Sequence, residues 1–337
     1  MVIARTPHLD VAISVDCFAS LAMTVLMKSK VRHALSNHFN LKEGGMKIGE
    51  IKKTAVIGAG TMGAQIADVL SRMGGYEVGM VDINDDLVRK GFQSIEQRLD
   101  RFFVSKGKLT AEEKKKIVNR IKGYTDIGEA AKSTDLVIEA AVERMALKKE
   151  IFKKLDESAP AHAILASNTS YLNISEMASA TKRPEKVVGI HFFNPVAVMQ
   201  LVEVVRGGRT SNETIEVACD LARKLGKEPV VCRDISYGFL ANRAYRAMVE
   251  EATQMVWERV ASPEEIDKAL KLGYNLPMGP LELADMVGGW ALRVSSEEDA
   301  VRELGSERGR LHPLTRAMAR AGYAKIYDYW KEVLSKP

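Results

Sequence analysis

The stretch from Thr54 to Asp82 constrains the fold of this 337-residue chain more than any other. Thr54-Ala55-Val56-Ile57 is a short buried-strand pattern, and it runs into Gly58-Ala59-Gly60-Thr61-Met62-Gly63. A helical pattern follows, with apolar residues at Ile66, Ala67, Val69, Leu70 and Met73. A second strand pattern, Glu77 to Val81, ends in Asp82. A glycine triplet alone is weak evidence; strand before, helix after and a carboxylate at the second strand's end make it a dinucleotide fingerprint. Gly58 permits the tight turn, Gly60 lets a pyrophosphate approach the backbone, and Gly63 lets helix and strand pack closely. The helix N-terminus offers free N–H groups to phosphate. Asp82 would bind the adenosine ribose hydroxyls and repel a 2′-phosphate. With no cation at Ile83 or Asn84, the expected cofactor is NAD.

After Asp82 the chain adds two charged helical patterns, 86–105 and 110–122, joined at Gly107, with Thr110 and Glu113 forming a capping box. Asp86 to Lys122 holds 11 Lys/Arg and 5 Asp/Glu, so this segment is +6 and the rest of the +5 chain is −1. Such a patch suits nucleic acid, the phosphates of a ligand such as coenzyme A, or simply a solvated helical face; composition does not choose.

Further strand patterns occur at 135–139, 163–166 and 186–190. In an open parallel sheet the loops beyond the strands' carboxyl ends hold the ligand. Those loops carry Glu143, with Lys148 on the next helix, then Ser167-Asn168-Thr169-Ser170, then His191-Phe192-Phe193-Asn194-Pro195. His191 and Glu203 are equidistant from Ala197, so a hairpin would place them opposite one another. A carboxylate on one imidazole nitrogen fixes the tautomer and frees the other nitrogen to take a proton. The structural alternative is a core histidine satisfied by a buried glutamate. From residue 236 the pattern is helical: 236–260, 263–272 and 280–288, with Ser262 as N-cap and Pro263 at the first position.

The motifs GAGTMG (58–63), VIEAAVE (137–143), ASNTS (166–170), GIHFFNPV (189–196), LVEVV (201–205), GFLANR (238–243) and LGYNLPMGPLEL (272–283) resemble the 3-hydroxyacyl-CoA dehydrogenase family, including the 3-hydroxybutyryl-CoA dehydrogenases, in order and spacing over about 46–290. The resemblance implies an NAD-dependent, reversible oxidation of (S)-3-hydroxyacyl-CoA to 3-oxoacyl-CoA, with short acyl chains expected. It makes His191 the general base, Glu203 its orienting partner, Ser170 the group that binds the 3-oxygen and Asn242 a residue that holds substrate near the histidine. Gly58, Ala59, Gly60, Thr61, Met62, Gly63, Asp82, Glu143, Lys148 and Asn194 become cofactor positions, Lys148 also reaching the substrate. The hairpin is then expected to cover the CoA moiety.

The expected fold class is α/β: a Rossmann-type, doubly wound, mostly parallel sheet over 46–234 with an inserted helical hairpin at 84–122, followed by a smaller all-α domain over 235–337. That last domain is expected to bind substrate and to form a homodimer. Three departures from the family stand out. Tyr237, not proline, precedes Gly238-Phe239, with one residue more before it; the Lys-Thr-Gly-x-Gly-Phe-Tyr signature is absent near the end; and Arg98 stands where the family uses a serine.

Residues 1–45 read differently. Val11 to Met27 is apolar but for Asp16 and small polar residues. A membrane span needs about 20 apolar residues, and a central carboxylate costs ~2.5 kcal/mol or more. Met46 is read as the natural start, and 1–45 as a non-native or disordered extension, with a short membrane-surface helix as the alternative. Three widely spaced cysteines (Cys17, Cys219, Cys232) form no zinc or disulfide pattern, so no metal and a cytoplasmic location are expected. Partners are expected to be the acyl-CoA and a second copy, without nucleic acid or membrane. The competing functions are a dehydrogenase of a small hydroxy acid without CoA and a non-catalytic NAD-binding regulator.

Overall fold

A computed structural model describes residues 47–235 and 237–335. The expectation for 1–45 lies outside the described residues. Lys53–Ile57, apolar from Ala55 onward, forms β1, and the chain then alternates strand and helix. The strands are β2 (Glu77–Val81), β3 (Ile121–Tyr124), β4 (Leu136–Glu139), β5 (Ile164–Ser167), β6 (Val187–Phe192), β7 (Leu201–Arg206) and β8 (Glu228–Arg233). Between them lie helices α1 (Thr61–Arg72), α2 (Asp85–Leu99), α3 (Ala111–Asn119), α4 (Ile127–Ala131), α5 (Met145–Ser158), α6 (Ile174–Ala178) and α7 (Asn212–Lys224). The rest is helical: α8 (Ala241–Trp257), α9 (Pro263–Tyr274), α10 (Pro280–Met286), α11 (Gly289–Ser295), α12 (Glu297–Leu304), α13 (Ser306–Gly309), α14 (Pro313–Arg320) and α15 (Ile326–Tyr329).

The strands form one sheet in the order β3-β2-β1-β4-β5-β6-β7-β8. All neighbouring pairs are parallel except β6 with β7. Side chains alternate between faces along a strand. Val56, Met80, Ile138 and Val188 therefore join a core with α1 and α7, while Ala55, Val81, Val137 and Leu165 join a second core with α5. Burial on both faces explains why the central strands read as continuous apolar runs. A third cluster, including Val249, Leu281, Trp290 and Leu314, forms the core of the C-terminal helical domain.

Three sequence readings change. The helical pattern read to Lys122 stops at Asn119, and Ile121–Tyr124 is a strand instead. The open edge of β2 supplies the reason, because Val78 N–H donates to Arg120 O and Asp82 N–H to Tyr124 O. Pairing with an unsatisfied strand outweighs a weak helical preference. The first hairpin helix leaves α geometry after Leu99 and continues as one π-helical turn, Asp100–Val104. The helix read from 236 begins only at Ala241, because Gly238 and Phe239 adopt left-handed backbone (φ 83° and 49°).

Candidate active site

The nucleotide loop follows directly from its glycines. Gly58 sits at φ +110°, where an added Cβ would come within 2.7 Å of Ala140 O. A Cβ on Gly63 would lie 1.8 Å from Gly58 O, so the first turn of α1 can pass the end of β1 only as glycine. Gly60 is different: it has negative φ, and a Cβ there would meet nothing within 4 Å. Its surface is an open backbone cradle at a helix N-terminus, the shape and polarity a pyrophosphate requires. Asp82 closes the loop from below, its Oδ2 accepting from Ala59 N–H (2.8 Å) and its Oδ1 from Ile83 N–H (2.7 Å). These residues fit a dinucleotide. Gly60→Ala is expected to leave Tm within about 2 °C while raising the Kd for NADH about tenfold or more, a loss of ~1.4 kcal/mol. Thermal melts beside fluorescence titration check this; a lower Tm at unchanged affinity would make Gly60 structural.

β6 and β7 form the expected hairpin, and His191 faces Glu203 in register. His191 Nδ1 lies 2.8 Å from Glu203 Oε2, with both side chains almost fully buried. Burial pushes the Glu203 carboxyl up, yet the imidazole contact and the N–H groups of Ala241 and Leu240 more than offset it and hold it below the ordinary value. An ionised carboxylate only accepts, so Nδ1 carries the proton and Nε2 is left to take one. Phe193 and Phe239 flank the ring, with centroids at 4.5 and 5.9 Å.

Glu203 has a second task. Its Oε1 accepts from Leu240 N–H (3.1 Å) and Ala241 N–H (2.8 Å), the start of α8. The carboxylate thus pins that helix to the sheet and places Asn242 one residue beyond the contact. The half-buried Asn242 side chain makes no hydrogen bond among the described residues.

Glu143 is held by Thr169 Oγ1 (2.8 Å) and Ser170 N–H (2.7 Å), both to Oε1. The carboxylate therefore fixes the Ser170 backbone from the neighbouring loop. Lys148, expected to contact the cofactor and to reach the substrate, lies among carboxylates. Its Nζ bonds Glu139 at 2.7 and 2.9 Å, lies 2.9 Å from Glu143 Oε2, and is 1% exposed. Its ammonium is thus paired with two carboxylates, one of them Glu143. Burial pushes its ammonium down, but Glu139 and Glu143 more than offset this and raise it above the ordinary lysine value.

Two supporting residues, Glu139 and Gln65, escaped the sequence reading, and a third, Asn168, was named there only as part of its loop. Glu139, at the end of β4, also accepts from Ser167 Oγ (2.6 Å) and Ala141 N–H (2.7 Å). A carboxylate ending an apolar strand was the available signal. Gln65 on α1 donates to Asn194 Oδ1 and accepts from Val196 N–H, both at 2.9 Å. Asn168 Oδ1 accepts from Phe192 N–H (2.9 Å). Amide side chains gave no comparable signal, because their partners lie on segments distant in sequence. Beside Gln65 and Asn194, a cavity of about 590 Å³ opens between the 194–198 segment and the hairpin, where Arg98, Phe102, Lys106 and Lys108 line it.

Comparison with known proteins supplies what geometry alone does not. Residues 53–235 match the model of the 3-hydroxyacyl-CoA dehydrogenase NAD binding domain, and 238–326 match that of the 3-hydroxyacyl-CoA dehydrogenase C-terminal domain. The chain belongs to the 3-hydroxyacyl-CoA dehydrogenase family. It is 46% identical over 286 residues to the probable 3-hydroxybutyryl-CoA dehydrogenase of Bacillus subtilis, covering 83% of this chain and 98% of that one. It is 41% identical over 285 residues to the 3-hydroxybutyryl-CoA dehydrogenase of Clostridioides difficile, covering 83% and 100%. The structure of (S)-3-hydroxybutyryl-CoA dehydrogenase from Ralstonia eutropha superposes with a TM-score of 0.76 at 42% identity, covering 81% of this chain and 95% of that one. Membership makes this dehydrogenase an NAD-dependent oxidoreductase acting on a CH–OH group.

Proposed function

We propose that the chain oxidises (S)-3-hydroxyacyl-CoA reversibly to 3-oxoacyl-CoA, on short chains such as 3-hydroxybutyryl-CoA. The observation that carries this is the buried His191–Glu203 pair at the carboxyl end of a sheet whose first loop fits a dinucleotide. Gly58 to Gly63 and Asp82 hold the cofactor, with Glu143 and Asn194 nearby and Lys148 acting through Glu143. NAD, when bound, supplies the hydride-accepting and hydride-donating chemistry. His191 Nε2 takes the proton of the 3-hydroxyl, and Glu203 stabilises the imidazolium that results. In the reverse direction the same nitrogen returns the proton to the 3-oxygen. Ser170 and Asn242 hold that oxygen toward the imidazole. Arg98, Lys106 and Lys108 give the hairpin cavity the charge to hold CoA phosphates.

The C-terminal helices expose large apolar side chains, among them Val260, Leu272, Tyr274 and Leu292. Exposure on this scale favours a homodimer through that domain, checked by a solution mass near twice 37.2 kDa. Cys219 and Cys232 are free thiols, which suits a reducing compartment such as the cytoplasm. No helix among the described residues is long and apolar enough to cross a membrane.

Absorbance at 340 nm tests the reaction, with acetoacetyl-CoA and NADH run beside NADPH and free acetoacetate. Rapid oxidation of NADH that requires the CoA group is expected. Turnover of free acetoacetate at the same efficiency would replace this reading with a small-acid dehydrogenase.

A further inference from the structure

Two tyrosines that the mechanism leaves unused meet beside the site. Tyr171 follows Ser170 directly, in the loop beyond β5, and Tyr237 precedes the left-handed Gly238-Phe239 turn into α8. Their rings lie 4.6 Å apart, tilted by 36°. Tyr237 is buried and donates its hydroxyl to Ser296 O at 3.5 Å. The Arg246 guanidinium, one helical turn beyond Asn242, stands over the Tyr237 ring at 5.8 Å. Burial, and then the nearby carboxylates of Glu143 and Asp299, raise the Tyr171 hydroxyl well above the ordinary phenol value. One aromatic pair thus ties three segments: the Ser170 loop, the start of α8, and the α11–α12 junction.

Geometry shows what the tie can do. Ser170 and Asn242 belong to segments 72 residues apart. From the sheet side, the start of α8 is held by the two N–H bonds to Glu203. Those bonds hold the first turn of α8 against the sheet beside His191. The ring pair adds a tie on the other side of the Gly238-Phe239 turn, joining the segment before α8 to the Ser170 loop. Aromatic pairs contribute beyond their buried area and have strong geometric preferences.

We propose that Tyr171 and Tyr237 are positioning residues, a latch that holds Ser170 and Asn242 in one arrangement about His191 and so sets productive binding of the acyl-CoA. The proposal rests on the functional reading above. It predicts a specific division of effects. Tyr171→Ala and Tyr237→Ala each lower kcat/KM for acetoacetyl-CoA about 10- to 100-fold and change the Kd for NADH less than twofold. The double variant is no worse than the poorer single, because either change opens the same latch. Tyr237→Phe keeps the ring and stays within threefold of the parent.

Hydrogen exchange supplies a readout independent of turnover. Tyr171→Ala accelerates exchange of the Leu240 and Ala241 amides, although both donate to Glu203 and neither to residue 171. Losses that multiply in the double variant, or unchanged exchange at 240–241, would overturn the latch. So would a fall in Tm with kcat/KM intact, which would reduce the pair to packing. If the parent protein fails to oxidise NADH with acetoacetyl-CoA, the functional reading falls, and the exchange result alone then decides the latch.

Discussion

Replacing His191 by Gln is expected to lower kcat by about 10³-fold, within the range general acid–base catalysis provides, and to leave the Kd for NADH within about twofold. The asymmetry follows from position. His191 lies on β6, buried against Glu203, Phe193 and Phe239, and shares no hydrogen bond with the Gly58–Gly63 loop. Glutamine can still donate an amide N–H to Glu203 Oε2, so the hairpin and the start of α8 remain in place. What it lacks is a basic ring nitrogen that can take and return a proton. Glu203→Gln is expected to be milder, on the order of 10²-fold, as is usual for groups that orient an imidazole. Its carboxyl is held below the ordinary value, so its contribution to stability is present above about pH 4.3. That contribution disappears as pH falls through the depressed folded value. Stopped-flow single turnovers with fluorescence titration separate the two quantities. An unchanged kcat in His191→Gln would remove the imidazole from the mechanism.

Lys148→Met should cost about 3–5 kcal/mol of stability, because it leaves buried carboxylates without their cation; the matching fall in Tm is on the order of 10 °C. Glu139 is the reason: its side chain is fully buried and accepts from Lys148, Ser167 and Ala141. Glu143, 28% exposed, is better able to turn to water. Adding Glu139→Gln to Lys148→Met is therefore expected to recover at least half of the loss. The pH dependence has a defined sign. In the parent, Lys148 is raised, so its contribution is complete below about pH 10.4 and is lost only as pH rises through the higher folded value. In Lys148→Met the orphaned carboxylate is raised instead. The deficit then grows as pH climbs from about 4.3 toward that raised value and is smallest in acid. Chemical denaturation at pH 5 and pH 8 reads it directly; equal deficits at both would place the cost in packing. Cofactor affinity should fall too, since Glu143 loses the ion pair that orients it.

Much of this site is legible in the chain because its physics is local. A glycine whose Cβ would strike a carbonyl 1.8 Å away announces itself as Gly63 does, five residues from its obstacle. The His191–Glu203 pairing is nearly local as well: strand side chains have period two, and a hairpin centred on Ala197 brings 191 and 203 face to face. Apolar runs such as Leu136–Ile138 identify buried parallel strands, and family motifs arrive in order because each sits at a strand's end.

The remainder depended on partners that sequence spacing does not reveal. Lys148 reads as a cofactor position that also reaches the substrate, and spacing does not show the two carboxylates paired with it, the nearer on a strand nine residues away. Ile121–Tyr124 reads as the tail of a helix until the open edge of β2 claims it. Glu203 reads as a partner for one histidine, but its other oxygen anchors a helix 38 residues further on. Tyr171 and Tyr237 carry no motif at all; only the folded chain brings their rings to 4.6 Å. Backbone conformation and side-chain periodicity act over a few residues, so the chain alone determined the glycine loop, most of the central strands and the pairing of His191 with Glu203. Burial and ion pairing act between segments that only folding brings together, so the tertiary structure decided which charges are spent on one another and which remain for a ligand.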